Sequence, residues 1–273
     1  MSLSDPIEQR FGTAGTVTGD APFLRQMLTR RSIRAFRPDP VPEPLLTGLL
    51  AAGLSAPSKS DLQQVSVIRL TAPAARKALA DLLPQFPWIA DAPALLVFCG
   101  DGRRIRRLAG HRGHPFANEH LDSFTNAAVD AGIALATTLY AAESAGLGGC
   151  PISVIRNRVQ EVSALLALPQ HVFPLAGLCL GWPEETPPLR RRLPLSVTLH
   201  TDRYNDDGLL DAVENYDRAR AAAEPVPEDK QHNRARWGTA ALYGWSEHRT
   251  RQYAEPARED WGRYVRSQGF DLS

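Results

Sequence analysis

The run Ala94-Leu95-Leu96-Val97-Phe98-Cys99 constrains the fold more than any other stretch. Consecutive apolar residues without alternation read as a short strand buried on both faces, and such a strand belongs at the centre of a sheet with other elements packed above and below it. Residues 65–70, Val-Ser-Val-Ile-Arg-Leu, show partial alternation and read as a second strand, while residues 150–155, 174–182 and 195–200 supply the others. Between these runs apolar residues recur at helical spacing. Residues 21–30 carry a stripe of Phe23, Leu24, Met27 and Leu28, residues 44–54 a face of Leu45, Leu46, Leu49 and Leu50, and residues 74–83 and 159–166 read as further helices. Pro38, Pro40, Pro42 and Pro44 break the chain into an extended crossing before the second helix. The longest helix is expected at residues 121–145. Its Ala127, Ala128, Ala131, Ala134 and Thr138 let another backbone approach closely, which fits a buried central helix.

Bulk properties exclude several classes. Lys and Arg total 31 against 30 acidic residues, so no long-range field draws this chain to nucleic acid or an anionic membrane, and basic clusters must be local sites. Arg103, Arg104, Arg106 and Arg107 lack the interleaved aromatics of a nucleic-acid surface. Cys99, Cys150 and Cys179 lie far apart in apolar runs, which argues against a disulfide framework or thiolate metal site and for a reducing cytoplasm. His111, His114, His120 and Glu119 do not have the spacing of a zinc protease, and no metal is expected. The order helix, Gly146-x-Gly148-Gly149, strand reverses that of a dinucleotide fingerprint and reads as a helix cap and turn.

At 273 residues the chain suits one core with appendages. Residues 1–20 read as a mobile leader without a signal-peptide core, residues 21–215 as the core, and residues 216–273 as a C-terminal excursion and helical arm. Within the last, residues 217–236 look like an exposed, mobile crossing segment. The helical stretches 237–253 and 255–270 have too few apolar residues to fold alone, so they should lie on the core or on a partner subunit.

Arg30-Arg31-Ser32-Ile33-Arg34 concentrates guanidiniums around a hydroxyl. That set suits a phosphate monoester, although a solvated basic helix end has the same composition. Further features follow in order: Ser55-Ala56-Pro57-Ser58-Lys59-Ser60-Asp61-Leu62-Gln63, then Gln85-Phe86-Pro87-Trp88-Ile89-Ala90-Asp91-Ala92-Pro93, then Gly148-Gly149-Cys150-Pro151-Ile152-Ser153-Val154-Ile155-Arg156-Asn157, then Leu189-Arg190-Arg191-Arg192-Leu193-Pro194. Together they resemble the FMN-dependent nitroreductase family, in particular its NADPH-using branch of oxygen-insensitive nitroreductases and flavin reductases. The resemblance runs from about Phe23 to the C-terminus.

The resemblance implies an α+β fold, with a central, mostly antiparallel sheet flanked by helices, in an intertwined homodimer with a C-terminal helical arm. It implies FMN as cofactor, NADPH or NADH as electron donor, and a ping-pong hydride transfer to a nitroaromatic, quinone or flavin, with no catalytic side chain. Arg31, Ser32, Arg34, Arg190 and Arg192 would hold the phosphate, with Arg30 along the ring system. Ser58, Lys59, Ser60 and Gln63 would reach the ribityl chain and ring from the second subunit, Gln85 would join the cofactor site, and Pro151, Ile152, Ser153 and Val154 would present backbone atoms to the ring. Lys230, Arg234 and Arg236 are the candidates for the extra phosphate of NADPH. Ser153 and Val154 stand where the branch often has glycines, implying a narrower pocket. Lys59 and Asp61 also depart from the pattern, either tuning the flavin or pairing with each other. An FMN oxidase or dehalogenase of the same fold, or a non-catalytic FMN-binding regulatory protein, is the alternative.

Overall fold

The computed structural model describes residues 4–12 and 21–273. It divides into two compact units, one formed by Arg31–Pro187 with Arg258–Ser273, the other by Pro188–Ala257 with the N-terminal residues through Arg30. The second of these holds α1 (Ser4–Phe11) and α2 (Pro22–Thr29) together with residues 188–257, and the first holds residues 258–273 at the end of the chain. The remainder of the expected leader lies outside the described residues.

The first unit holds a sheet of β1 (Val65–Arg69), β2 (Ala94–Asp101), β3 (Gly148–Ile152) and β4 (Val172–Gly181) in the order β1-β2-β4-β3, every neighbouring pair antiparallel. Each residue of β2 is buried, as its unbroken apolar run requires. Alternation sends Leu95, Val97 and Cys99 to one face, where they meet Leu79 of α4 (Pro73–Asp81), Ile89 of α5 (Trp88–Asp91) and Val162 of α8 (Val159–Leu165). Leu96 and Phe98 go to the other face, against Leu46 and Leu49 of α3 (Glu43–Leu54) and Leu135 and Leu139 of α7 (Leu121–Ser144). Burying a side chain of this size contributes about 1.5–3 kcal/mol, so β2 is the chief anchor of the unit.

The small residues of α7 serve a contact inside the chain. Gly53 of α3 crosses them so closely that a Cβ there would stand 1.8 Å from Thr138 Oγ1. The arm's α13 (Trp261–Ser267) packs Tyr264 and Val265, with Phe270 beyond, against Phe173 of β4 and Ala127 of α7. The helix α6 (Arg103–His111) was not expected. It occupies the Arg- and Gly-rich stretch because Asp101 Oδ1 accepts the backbone N–H groups of Arg103 and Arg104, at 3.0 and 3.1 Å.

The second unit is helical: α1, α2, α9 (Leu195–Thr198), α10 (Leu209–Ala223), α11 (Arg234–Trp237) and α12 (Trp245–Tyr253). The strand expected at residues 195–200 is therefore a helical turn. Val197 N–H donates to Pro194 C=O and Leu199 N–H to Leu195 C=O, and no strand among the described residues of this unit offers an edge to pair with. The Phe23 and Leu24 stripe of α2 stays exposed in the chain. The segment 217–236 is less irregular than its composition suggests. It begins inside α10, and its buried Asp217 accepts Trp245 N–H at 2.6 Å, Ser246 N–H at 3.1 Å and the Ser246 hydroxyl, capping α12. Gly244 has no room for a side chain, since a Cβ would lie 2.3 Å from the Asp217 carboxyl carbon.

Candidate cofactor site

The arginine stretch is held as an extended ribbon along the free edge of β3. Ser32 forms a parallel bridge to Gly149, with Ile33 N–H donating to Gly149 C=O at 3.2 Å, and Phe36 pairs with Pro183 farther on. Ile33 and Phe36 are buried anchors. Between them Arg34 is exposed, its guanidinium carbon 5.8 Å from the Trp88 ring centre, while Arg31 and Ser32 are half-buried. Pro151 is the one exposed position in β3, and Ser153 just past its end is exposed too. Sheet pairing thus sets Arg31, Ser32 and Arg34 beside the strand that carries Pro151 to Val154.

Of the two residues standing in place of glycines, Val154 packs on the core and Ser153 faces out. The Ser153 hydroxyl accepts from Arg258 at 3.3 Å, and Asn157 Oδ1 accepts from the same guanidinium at 2.7 Å. Arg258, the first residue of the arm to join this unit, was invisible as a site residue because it lies 105 positions from Ser153. Beside it Arg156 donates to Leu175 C=O, and burial first, then the nearby Arg258 charge, lower its pKa. Gln85 is exposed on the turn between α4 and α5.

The serine loop is unusual in its backbone. Ser60, Asp61 and Gln63 have φ of 50°, 56° and 50°, left-handed values that cost non-glycine residues roughly 1–2 kcal/mol each. Inside the loop Ser58 Oγ accepts Gln63 N–H at 3.2 Å, Lys59 bonds Ser60, and Gln63 donates to Asp61, so Lys59 and Asp61 each bond a loop neighbour rather than one another. Two charged groups outside the loop hold it. Buried Asp130 of α7 accepts Lys59 N–H at 3.0 Å on one oxygen and Gln64 N–H at 3.1 Å on the other. Arg104 of α6 donates to Gln63 C=O and, at 3.1 Å, to Val65 C=O. Neither stood out in the sequence, where Asp130 is a polar residue inside an apolar helix and Arg104 one of a basic run.

The remaining arginines belong to the helical unit. Arg190 and Arg192 are exposed, Arg190 standing 3.9 Å from Glu224, and Arg30 is half-buried. Lys230 lines a cavity of about 190 Å³ with Arg190, Arg220, Trp245, His248 and Arg249. Arg234 and Arg236 do not line it, and Arg236 instead lies over the Trp237 ring, 4.6 Å from its centre. Among the histidine group, Glu119 is taken up by an ion pair with Arg106.

Comparison with known proteins identifies the family. The nitroreductase family model matches residues 27–182, and the model of the nitroreductase family C-terminal domain matches residues 190–273. An FMN reductase [NAD(P)H] of Bacillus subtilis is 39% identical over 198 residues, covering 71% of this chain and 79% of the relative. An oxygen-insensitive NADPH nitroreductase of Salmonella typhimurium is 34% identical over 252 residues, 92% of this chain and 98% of the relative. The crystal structure of nitroreductase A from Vibrio parahaemolyticus superposes with a TM-score of 0.80 at 32% identity, covering 92% of this chain and 98% of that one. The chain, whose antiparallel sheet is clasped at its edge by an arginine ribbon, belongs to the nitroreductase family.

Proposed function

We propose that this protein is an NAD(P)H-dependent FMN oxidoreductase that reduces nitroaromatics, quinones or flavins by a ping-pong hydride transfer. The observation that carries this reading is the ribbon of Arg31, Ser32 and Arg34 paired to the strand that exposes Pro151 and leads into the exposed Ser153. The donor set fits the cofactor. Guanidiniums and a hydroxyl match a phosphate monoester, and the backbone of residues 151–154 offers hydrogen-bonding groups to a flat ring on the same edge. The names of the relatives, an FMN reductase and an NADPH nitroreductase, point the same way.

When bound, FMN supplies two-electron chemistry, taking hydride from a nicotinamide and handing it to an oxidised acceptor. The side chains bind and orient. Arg31, Ser32 and Arg34 hold the phosphate, and in the helical unit Arg190 and Arg192 are its further cationic candidates with Arg30 for the ring system. Ser58, Lys59, Ser60, Gln63 and Gln85 donate to the ribityl chain and ring, and residues 151–154 hold the ring by backbone atoms. The working form is a homodimer, with the serine loop supplied by the second copy, and Lys230 is the favoured cation for the NADPH phosphate because it lines a cavity rich in basic groups.

The test is anaerobic addition of NADPH, then NADH, to the yellow holoprotein, followed by an acceptor panel. Loss of the flavin colour with a nicotinamide and its return with acceptor is the expected result. Flavin that stays coloured with both donors would remove the reductase reading, and purified protein that neither contains nor takes up FMN would remove the cofactor.

A further inference from the structure

Helix α1 precedes the residues matched by either family model, and one of its side chains ties together the segments that carry the helical unit's arginines. Arg10 is 6% exposed. Its Nε donates to Leu28 C=O at 2.7 Å, one terminal nitrogen to Arg30 C=O at 2.5 Å, and the other to Arg190 C=O at 2.9 Å. Its own carbonyl accepts Arg192 N–H at 2.7 Å. A single planar fork therefore fixes the backbones of Leu28, Arg30 and Arg190, and the Arg10 main chain holds that of Arg192, while the Arg190 and Arg192 side chains stay exposed. Using a buried charge to hold three carbonyls exceeds what the docking of an eight-residue helix requires.

We propose that Arg10 is a positioning residue for the phosphate-binding cations of the helical unit, Arg190 and Arg192, and that α1 is a strap over the segments that carry them. This rests on the reading that Arg190 and Arg192 hold the FMN phosphate. The strap acts on a charged tail, so its signature is discrimination between FMN and riboflavin, which share a ring and a ribityl chain and differ in the phosphate.

The experiment titrates flavin-free protein with FMN and with riboflavin, following flavin fluorescence, for the wild type, Arg10→Gln and Arg10→Lys. Circular dichroism of each flavin-free variant checks folding. The expected result is FMN affinity reduced by roughly tenfold in Arg10→Gln with riboflavin affinity held within about twofold, and a smaller loss in Arg10→Lys, which keeps the charge without the planar fork. A folded Arg10→Gln whose preference for FMN over riboflavin equals that of the wild type overturns the proposal, as does an equal loss of both affinities, which is the mark of a merely structural strap. Should Arg10→Gln fail to fold, Arg10→Lys decides by the same ratio. A wild type that binds both flavins equally, or neither, fails the underlying phosphate reading instead, and that failure is visible without any variant.

Discussion

Replacing Asp130 by Asn changes one atom of a buried side chain and removes half of its grip on the serine loop. The wild-type carboxylate accepts one amide N–H on each oxygen, from Lys59 and from Gln64. Asparagine keeps one acceptor and turns an NH2 toward the other N–H, so one charge-assisted bond, worth roughly 1.5–3 kcal/mol, is lost and two donors face each other. Against this, the left-handed residues Ser60, Asp61 and Gln63 together store about 3–6 kcal/mol. The loss is comparable with the strain of two of them, so the loop relaxes toward ordinary φ while the sheet and α7 keep their packing. The expected outcome is FMN affinity reduced by roughly tenfold to a hundredfold and faster tryptic cleavage after Lys59 in the flavin-free protein, with cleavage after Lys77 on α4 unchanged. Cleavage at Lys59 and FMN affinity both equal to wild type would refute the reasoning.

Further predictions follow from other contacts. Asp217→Ala removes the cap of α12 and leaves the N–H groups of Trp245 and Ser246 unpaired, a cost of about 2–4 kcal/mol that urea unfolding monitored by circular dichroism would read. Arg34→Ala, at an exposed position, should weaken FMN binding roughly tenfold while changing unfolding stability by no more than about 0.5 kcal/mol. Burial pushes the Cys99 thiol up to about 12 and Cys179 also well upward, so a disulfide reagent at neutral pH should leave the native protein unlabelled and titrate all three cysteines after denaturation. Burial also lowers the pKa of His171 and His248 below the ordinary 6.5, so the unfolded chain takes up protons before the folded one does. Their contribution to stability is present above about pH 6.5 and is lost as pH falls below it, and Tm measured from pH 7.5 to 5.5 should fall less in a His171→Gln, His248→Gln double variant.

Local signals carried much of the fold. The unbroken run at residues 94–99 could satisfy its side chains only as a central strand, and the long alanine-rich helix and the arginine stretch were equally explicit in composition. What escaped was set by distant partners. Residues 195–200 have strand-forming residues but no strand of their unit beside them among the described residues. α6 depends on Asp101 placed at its start by β2. The grip of Asp130 on Lys59 spans 71 positions and that of Arg258 on Ser153 spans 105, and neither leaves a periodic trace in the sequence. Arg10 sat in a stretch too polar to suggest burial, and a guanidinium that spends its donors on main-chain carbonyls has no sequence signature.

The outer rim of β3 has one more consequence. Unpaired peptide groups on a terminal strand invite stacking by other chains, and here the seal over them is the same ribbon that carries Arg31, Ser32 and Arg34, the side chains proposed to hold the phosphate. Peeling it away would uncover a sticky margin and dismantle the cofactor's anchor in one motion. If the proposed site is right, holding flavin and resisting aggregation are coupled, and cofactor-starved preparations should be the ones that precipitate.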